Sequence, residues 1–149
     1  MSVEVKFKRL WKEAVLPKRG SEYAAGYDIY AAMEPNVDHI MIPPHQTVMI
    51  RTGWAMQIPE GYFGAIFARS GLATKAGLRP ANCVGVIDAD YRGEVSVPLH
   101  NDTDMPKYIE DEDRIAQLVI MPYMDFVPVM VDELDETERG EGGFGSSGR

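Results

Sequence analysis

This sequence predicts an all-β fold, a jelly-roll sandwich or barrel, on three observations. Short runs rich in β-branched and aromatic residues recur along most of the chain, turn residues separate them at close intervals, and one stretch alone reads as a helical turn. Strands that short bury their apolar faces only by closing into a barrel or packing sheet on sheet. Val3, Val5 and Phe7 alternate with Glu4, Lys6 and Lys8, the period-two pattern of a strand with one wet face. Further strands are expected at 27–31, 47–52, 54–58, 62–67, 84–87, 95–99, 115–121 and 126–131. Turns are expected at Pro59 to Gly61, at Arg92 and Gly93, and from Asn101 to Asp104. Pro43, Pro44, Pro80, Pro98, Pro106, Pro122 and Pro128 must then fall at strand starts, edges or bulges, where a missing N–H is tolerated. Residues 70–76 read as the helical turn, closed by Gly77. The body of the domain is expected to span 1–134, with 135–149 as an arm.

One domain is expected from 149 residues, a size that buries roughly 68–70% of its unfolded surface without staples. A net charge of −8 argues against binding long nucleic acids, which calls for a basic surface, but leaves a nucleotide open. No run approaches a membrane span, and Met1 to Lys6 lacks the apolar stretch of a secretory signal. The expectation is a protein that is not secreted and works in the cytoplasm, or in the nucleus of a eukaryotic or viral host. Cys83 is the single cysteine, so no internal disulfide is possible, and its apolar neighbours suggest a buried, inert thiol. His39, His45 and His100 lack metal-ligand spacing and are expected to be structural or on the surface.

Five segments carry chemistry. Gly85 to Val95 reads as a strand, a turn and a returning strand, with Asp88, Asp90, Tyr91 and Arg92 at the tip. Asp88 closes the apolar run and is expected either to point inward, where a carboxylate can serve as a general base, or to form the turn; Asp90 suits a turn. Arg69, Ser70 and Gly71 stand at a strand-to-helix junction, either an anion site or a plain helix cap by Ser70 with Arg69 solvated. Asp28, alone among small residues, is either satisfied by backbone hydrogen bonds or holds a metal-bound water. Gln117, inside an apolar run beside Arg114, needs a polar partner if it faces inward. The C-terminal Arg139 to Arg149 is rich in glycine, with Phe144 between two arginines and next to Ser146 and Ser147. It has too little apolar surface to order itself, and is either a solvated tail or a segment that drapes over a polyanion, with Phe144 offering a face to a base.

In order and separation, the stretches AAGYDIYAA, ARSGLA, NCVGVIDADYRGEV, DRIAQL and RGEGGFGSSG resemble those of the trimeric dUTPase family, from Ala24 to the C-terminus. The resemblance implies a β jelly roll assembled as a homotrimer, with active sites between subunits and the arm of one chain closing over a site built by the others. It implies hydrolysis of dUTP to dUMP and pyrophosphate with Mg²⁺, supplying dUMP for thymidylate synthesis and keeping uracil out of DNA. By that resemblance Asp88 is the general base, Tyr91 lies against the deoxyribose, and Asn82 with the backbone of Gly85, Val86 and Ile87 reads uracil. Arg69, Ser70, Gly71 and Gln117 meet the phosphates, and Asp28 holds water around Mg²⁺. Arg139, Phe144, Gly145, Ser146 and Ser147 form the arm, with Phe144 stacked on uracil. Ala68 stands where the family usually has proline, Glu112 where glycine is common, and Ser147 where threonine is frequent. The partners implied are dUTP and further copies of the chain, with no nucleic acid polymer and no membrane. Two other functions fit the same fold: a deaminase acting on dCTP, and a non-catalytic regulator that senses dUTP.

Overall fold

Along Glu94–Asn101 burial alternates residue by residue, with Val95, Val97, Leu99 and Asn101 inside and the residues between them half-buried. That alternation is how a period-two pattern builds one face of a core. In a computed structural model that describes residues 2–143, eleven strands behave in related ways. They are β1 (Lys6–Arg9), β2 (Lys18–Arg19), β3 (Tyr27–Tyr30), β4 (His39–Ile42), β5 (Thr47–Gln57), β6 (Tyr62–Phe67), β7 (Leu78–Pro80), β8 (Val84–Ile87), β9 (Glu94–Asn101), β10 (Lys107–Glu110) and β11 (Arg114–Pro122). All pairings are antiparallel. One sheet runs β1-β5-β9-β7 and a second runs β2-β3-β11-β6-β8, with β10 and β4 as a separate ladder. A single apolar cluster joins them: Ile50, Val97 and Leu99 from the first sheet, Ile29, Ile66, Ile115 and Leu118 from the second, and Ile42 and Ile109 from the ladder. The fold is all-β with one short helical turn among the described residues, as expected.

The runs 47–52 and 54–58 prove to be one strand, β5, whose register against β9 shifts between Arg51 and Ala55. Gly53 makes the shift possible. Its φ is +73°, and a Cβ there would lie 2.6 Å from the Ala14 Cβ. The first strand begins at Lys6, later than its alternation suggests. Strands β2, β4, β7 and β10 were not foreseen: β2 is two exposed basic residues, β7 has three residues ending in proline, and β4 and β10 bury one residue each fully.

Residues 126–131 form no strand, contrary to expectation: Phe126, Val127, Val129 and Met130 are 76–98% exposed. A strand-like composition needs a neighbour to pair with and a surface to pack on, and this chain offers that run neither. The last strand ends at Pro122, and residues 123–143 follow without regular elements apart from turns near Arg139.

The helical turn spans Leu72–Ala76 and is wound wider than an α-helix; Gly77, at φ +68°, closes it by donating its N–H to the Leu72 carbonyl. Gly71 is the residue that precedes it, without a side-chain cap, so Ser70 is not the cap. Cys83 is exposed rather than buried, at φ +60° in the turn between β7 and β8. Glu112 adopts φ +62°, a left-handed conformation to which glycine is better suited. Asn101, read from the sequence as the start of a turn, is fully buried. Its Nδ2 donates to the carbonyls of Ile42, Pro43 and Met105, and its Oδ1 accepts from Thr103.

Candidate active site

A pocket of roughly 460 Å³ opens where β3, β11 and the end of β6 come together. Antiparallel pairing sets Gln117 of β11 opposite both Asp28 of β3 and Phe67 of β6, so these positions share one face. Gln117 is half-buried in the wall of the pocket and finds a polar partner there, donating from Nε2 to the Ala68 carbonyl at 2.9 Å. Gly26 leaves it room, since a Cβ there would collide with Gln117 Oε1. Asp28 is satisfied by guanidinium groups, not by the backbone. Arg69 Nε donates to Oδ1 at 2.8 Å, and Arg114 Nη1 reaches Oδ2 at 3.5 Å. The Asp28 and Arg69 side chains are only 15% and 27% exposed, so breaking their pair would strand a charge with little water around it. Two guanidiniums against one carboxylate leave the pocket positive, and Ser70 and Gly71 line its rim.

Asp88 lies elsewhere. The run from Gly85 to Val95 does form strand, turn and strand, but the two strands enter different sheets: β8 pairs with β6, and β9 with β5 and β7. The connection is thus a bend between layers, with the Tyr91 N–H donating to the Asp88 carbonyl at 3.1 Å. The Arg92 guanidinium closes the bend further, donating to the carbonyls of Ala89 and Tyr91. Asp88 is exposed, not turned inward, because the residues around the bend leave it facing two open concavities. One, about 620 Å³, is lined by Glu60, Phe63, Val86, Asp88 and Tyr123 among others. The second, about 370 Å³, includes Ile87, Asp88, Tyr91 and Glu94. Tyr91 donates its hydroxyl to the Glu94 carbonyl at 3.1 Å and lies over Gly93. Asn82 Nδ2 reaches back over Gly85, which a Cβ would crowd at 3.3 Å. Strand β8 is the edge of its sheet, so one side of its backbone has no strand neighbour.

Asp28, Arg69, Ser70, Gly71 and Gln117 are therefore brought together, and Val86, Ile87, Asp88 and Tyr91 are brought together, in separate hollows of one chain. Arg139 joins neither; its Nε donates to the Gly142 carbonyl within the tail. Phe144, Gly145, Ser146 and Ser147 lie outside the described residues. Arg114 is the pocket residue to which sequence reasoning gave no role; its position beside Gln117 in β11 was the available signal. No group of three or more histidine, cysteine, aspartate or glutamate side chains among the described residues could cage a metal ion. His45 pairs with Asp104, and His100 meets Thr47 and Asp102.

The sequence profile described as dUTPase matches residues 12–148. The deoxyuridine 5'-triphosphate nucleotidohydrolase of Desulfitobacterium hafniense is 45% identical over 149 residues, covering 99% of this chain and 97% of that protein. The enzyme of that name from Escherichia phage T5 is 47% identical over 136 residues, covering 89% and 91%. Among solved structures, the dUTPase of Staphylococcus bacteriophage 80alpha with dUpNHpp superposes with a TM-score of 0.88 at 33% identity, covering 99% of this chain and 100% of that one.

Proposed function

The chain belongs to the dUTPase family and is an enzyme that hydrolyses dUTP, and from that premise we propose that Asp88 is its general base. The Asp88 carboxylate takes a proton from a water as its oxygen bonds to the α-phosphorus. The bond between that phosphorus and the bridging oxygen breaks, so pyrophosphate leaves and dUMP remains. Asp88 is open to solvent, as a base that must reach a water needs to be. Tyr91 walls the same concavity and lies against the deoxyribose. Asn82 and the free backbone edge at Gly85, Val86 and Ile87 pair with uracil, and a base with the wrong donors and acceptors leaves those groups unmatched. Arg69, with Ser70, Gly71 and Gln117, receives the triphosphate.

The observation that carries this reading is the division of the machinery. Base and sugar wall sit in one hollow and the positive pocket in another, so one chain holds two halves of a site. A homotrimer in jelly-roll form, with each site between subunits, joins one chain's Asp88 to another's Arg69. In that assembly residues 1–134 form the body and 135–149 the arm. The unpartnered run at 126–131 has a neighbour to pack on, and Arg139, Phe144, Gly145, Ser146 and Ser147 close over the ligand.

The donor set fits a divalent cation that arrives on its substrate. Magnesium keeps most of its waters and uses one or two carboxylates with phosphate oxygens, and Asp28 is the one carboxylate among the described residues that line the positive pocket. When bound there, Mg²⁺ would supply neutralising charge to the phosphates, and Asp28 would hold its waters while keeping Arg69 in place. The product supplies dUMP for thymidylate synthesis, and loss of the substrate keeps uracil out of DNA. No helix among the described residues is long and apolar enough to cross a membrane, and we place the enzyme in the cytoplasm or in a host nucleus.

Pyrophosphate release from each deoxynucleoside triphosphate, with and without Mg²⁺, tests the chemistry. The expected outcome is release from dUTP alone, dependent on the cation. Ammonia from dCTP would assign the deaminase reaction instead, and full turnover by a protein that sediments as a monomer would remove the shared site.

A further inference from the structure

Glu94 stands at the foot of the bend that carries Asp88 and Tyr91. Its side chain is 15% exposed and has a partner at each oxygen. Oε2 accepts from Arg51 Nε at 2.9 Å and from Arg51 Nη2 at 2.6 Å, and Oε1 accepts from the Gly53 N–H at 2.9 Å. The backbone carbonyl of the same residue accepts the Tyr91 hydroxyl. Arg51 is braced in turn: its guanidinium carbon sits 4.0 Å from the centre of the Trp11 ring, and Nη1 reaches Glu34 at 3.4 Å. Gly53 can present its N–H to the carboxylate because the register shift in β5 turns its backbone to φ +73°. On the other side, a Cβ at Gly93 would collide with the Tyr91 hydroxyl, so the ring lies directly on the bend.

These contacts form one chain from Trp11 through Arg51 and Glu94 to Tyr91. A carboxylate with two charge-assisted bonds from one guanidinium is among the firmer anchors a half-buried site offers. Tyr91 is 43% exposed, with its free side on the concavity that it shares with Asp88 and Glu94. The slant of that ring is therefore set through Glu94, whose carboxylate is turned to Arg51 and Gly53.

We propose that Glu94, clamped by Arg51 and the Gly53 N–H, is a positioning residue that holds the Tyr91 ring against the substrate's sugar and so sets discrimination between deoxyribose and ribose triphosphates. This rests on the placement of Tyr91 against the deoxyribose given above. A wall excludes a 2′-hydroxyl by occupying its space, and losing the clamp frees the Glu94 carbonyl to shift and lets the ring swing with it.

The test is kcat/KM for dUTP and for UTP with Mg²⁺ on the full chain, for the wild type, Glu94→Ala, Glu94→Gln and Tyr91→Ala. Glu94→Ala is expected to lower the dUTP-to-UTP ratio about tenfold, the low end of what one lost steric or packing contact costs in discrimination. UTP turnover should rise in that variant. Glu94→Gln keeps one acceptor oxygen, for the Arg51 guanidinium or for the Gly53 N–H but not for both, and should restore part of the ratio. A residue that only stabilised the fold would lower both substrates together, and an unmoved ratio in Glu94→Ala overturns the proposal. Should that variant fail to fold, Arg51→Lys keeps the charge but loses the two-pronged bond. It carries the same expected direction, and an unmoved ratio there is equally fatal. If Tyr91→Ala loses discrimination while the clamp variants keep it, Glu94's role alone fails. If Tyr91→Ala keeps the full wild-type discrimination, the placement of Tyr91 fails first, and the role of Glu94 with it.

Discussion

Asp88 and Asp28 both follow small or apolar residues in the sequence, yet the fold treats them in opposite ways. Asp28 is locked by Arg69 and Arg114, while Asp88 has no side-chain partner among the hydrogen bonds of the described residues and faces open space. That contrast fits a structural anchor in the first case and a proton acceptor in the second. Asp88→Asn is accordingly expected to lower kcat for dUTP by at least about 10²-fold, the usual scale for a lost general base, with affinity for a non-hydrolysable analogue largely kept. Single-turnover rates and titration with the analogue give both numbers, and near-normal turnover would take Asp88 out of the role. The residue types at Asp28, Arg69 and Gln117 were legible because charged and amide groups among apolar neighbours demand an explanation. Arg114 was not given a role because its carboxylate partner is 86 positions away, a distance that only the β3–β11 pairing closes.

Strands are the elements that local pattern describes well where β-branched and aromatic residues fill them. The spans at 62–67 and 84–87 coincide with β6 and β8, and those at 95–99 and 115–121 lie inside β9 and β11. Short, polar or proline-bearing edges such as β2 and β7 carry no such pattern, since their pairing is dictated by neighbours. Nor could it show that β8 and β9 enter different sheets, because a hairpin and a bend between layers share the same local sequence. The register shift in β5 is where element and site meet, because Gly53 both spares Ala14 and donates to Glu94. Gly53→Ala should cost about 2–4 kcal/mol, combining a left-handed backbone unsuited to a Cβ with overpacking against Ala14. Urea unfolding would show a lower midpoint with an unchanged slope. An unaltered midpoint would mean that the segment around Ala14 is free to move aside.

At the scale of the molecule, the most telling surface is the part of the chain with nothing to do alone. Large apolar residues that the sequence marks as strand material, from Phe126 to Val131, lie open to solvent, and a folded domain rarely leaves such a run uncovered. The acidic and glycine-rich sequence that follows contains only Leu134 and Phe144 as large apolar residues, so the two parts of the C-terminal segment should fail differently when removed. Ending the chain after Glu138 retains the apolar run and discards Arg139 and Phe144; the expected result is a protein of unchanged assembly and thermal stability with poor turnover of dUTP. Phe144→Ala should reproduce part of that loss, about 1–3 kcal/mol of base stacking in nucleotide affinity. Ending it after Pro122 removes the apolar run as well and should yield a smaller species by sedimentation, since the surface proposed to join subunits has gone. If both truncations keep the native assembly, residues 126–131 do not hold the subunits together. If the shorter loss alone dissolves the assembly, residues beyond Glu138 hold subunits together and are not simply a cover for the nucleotide.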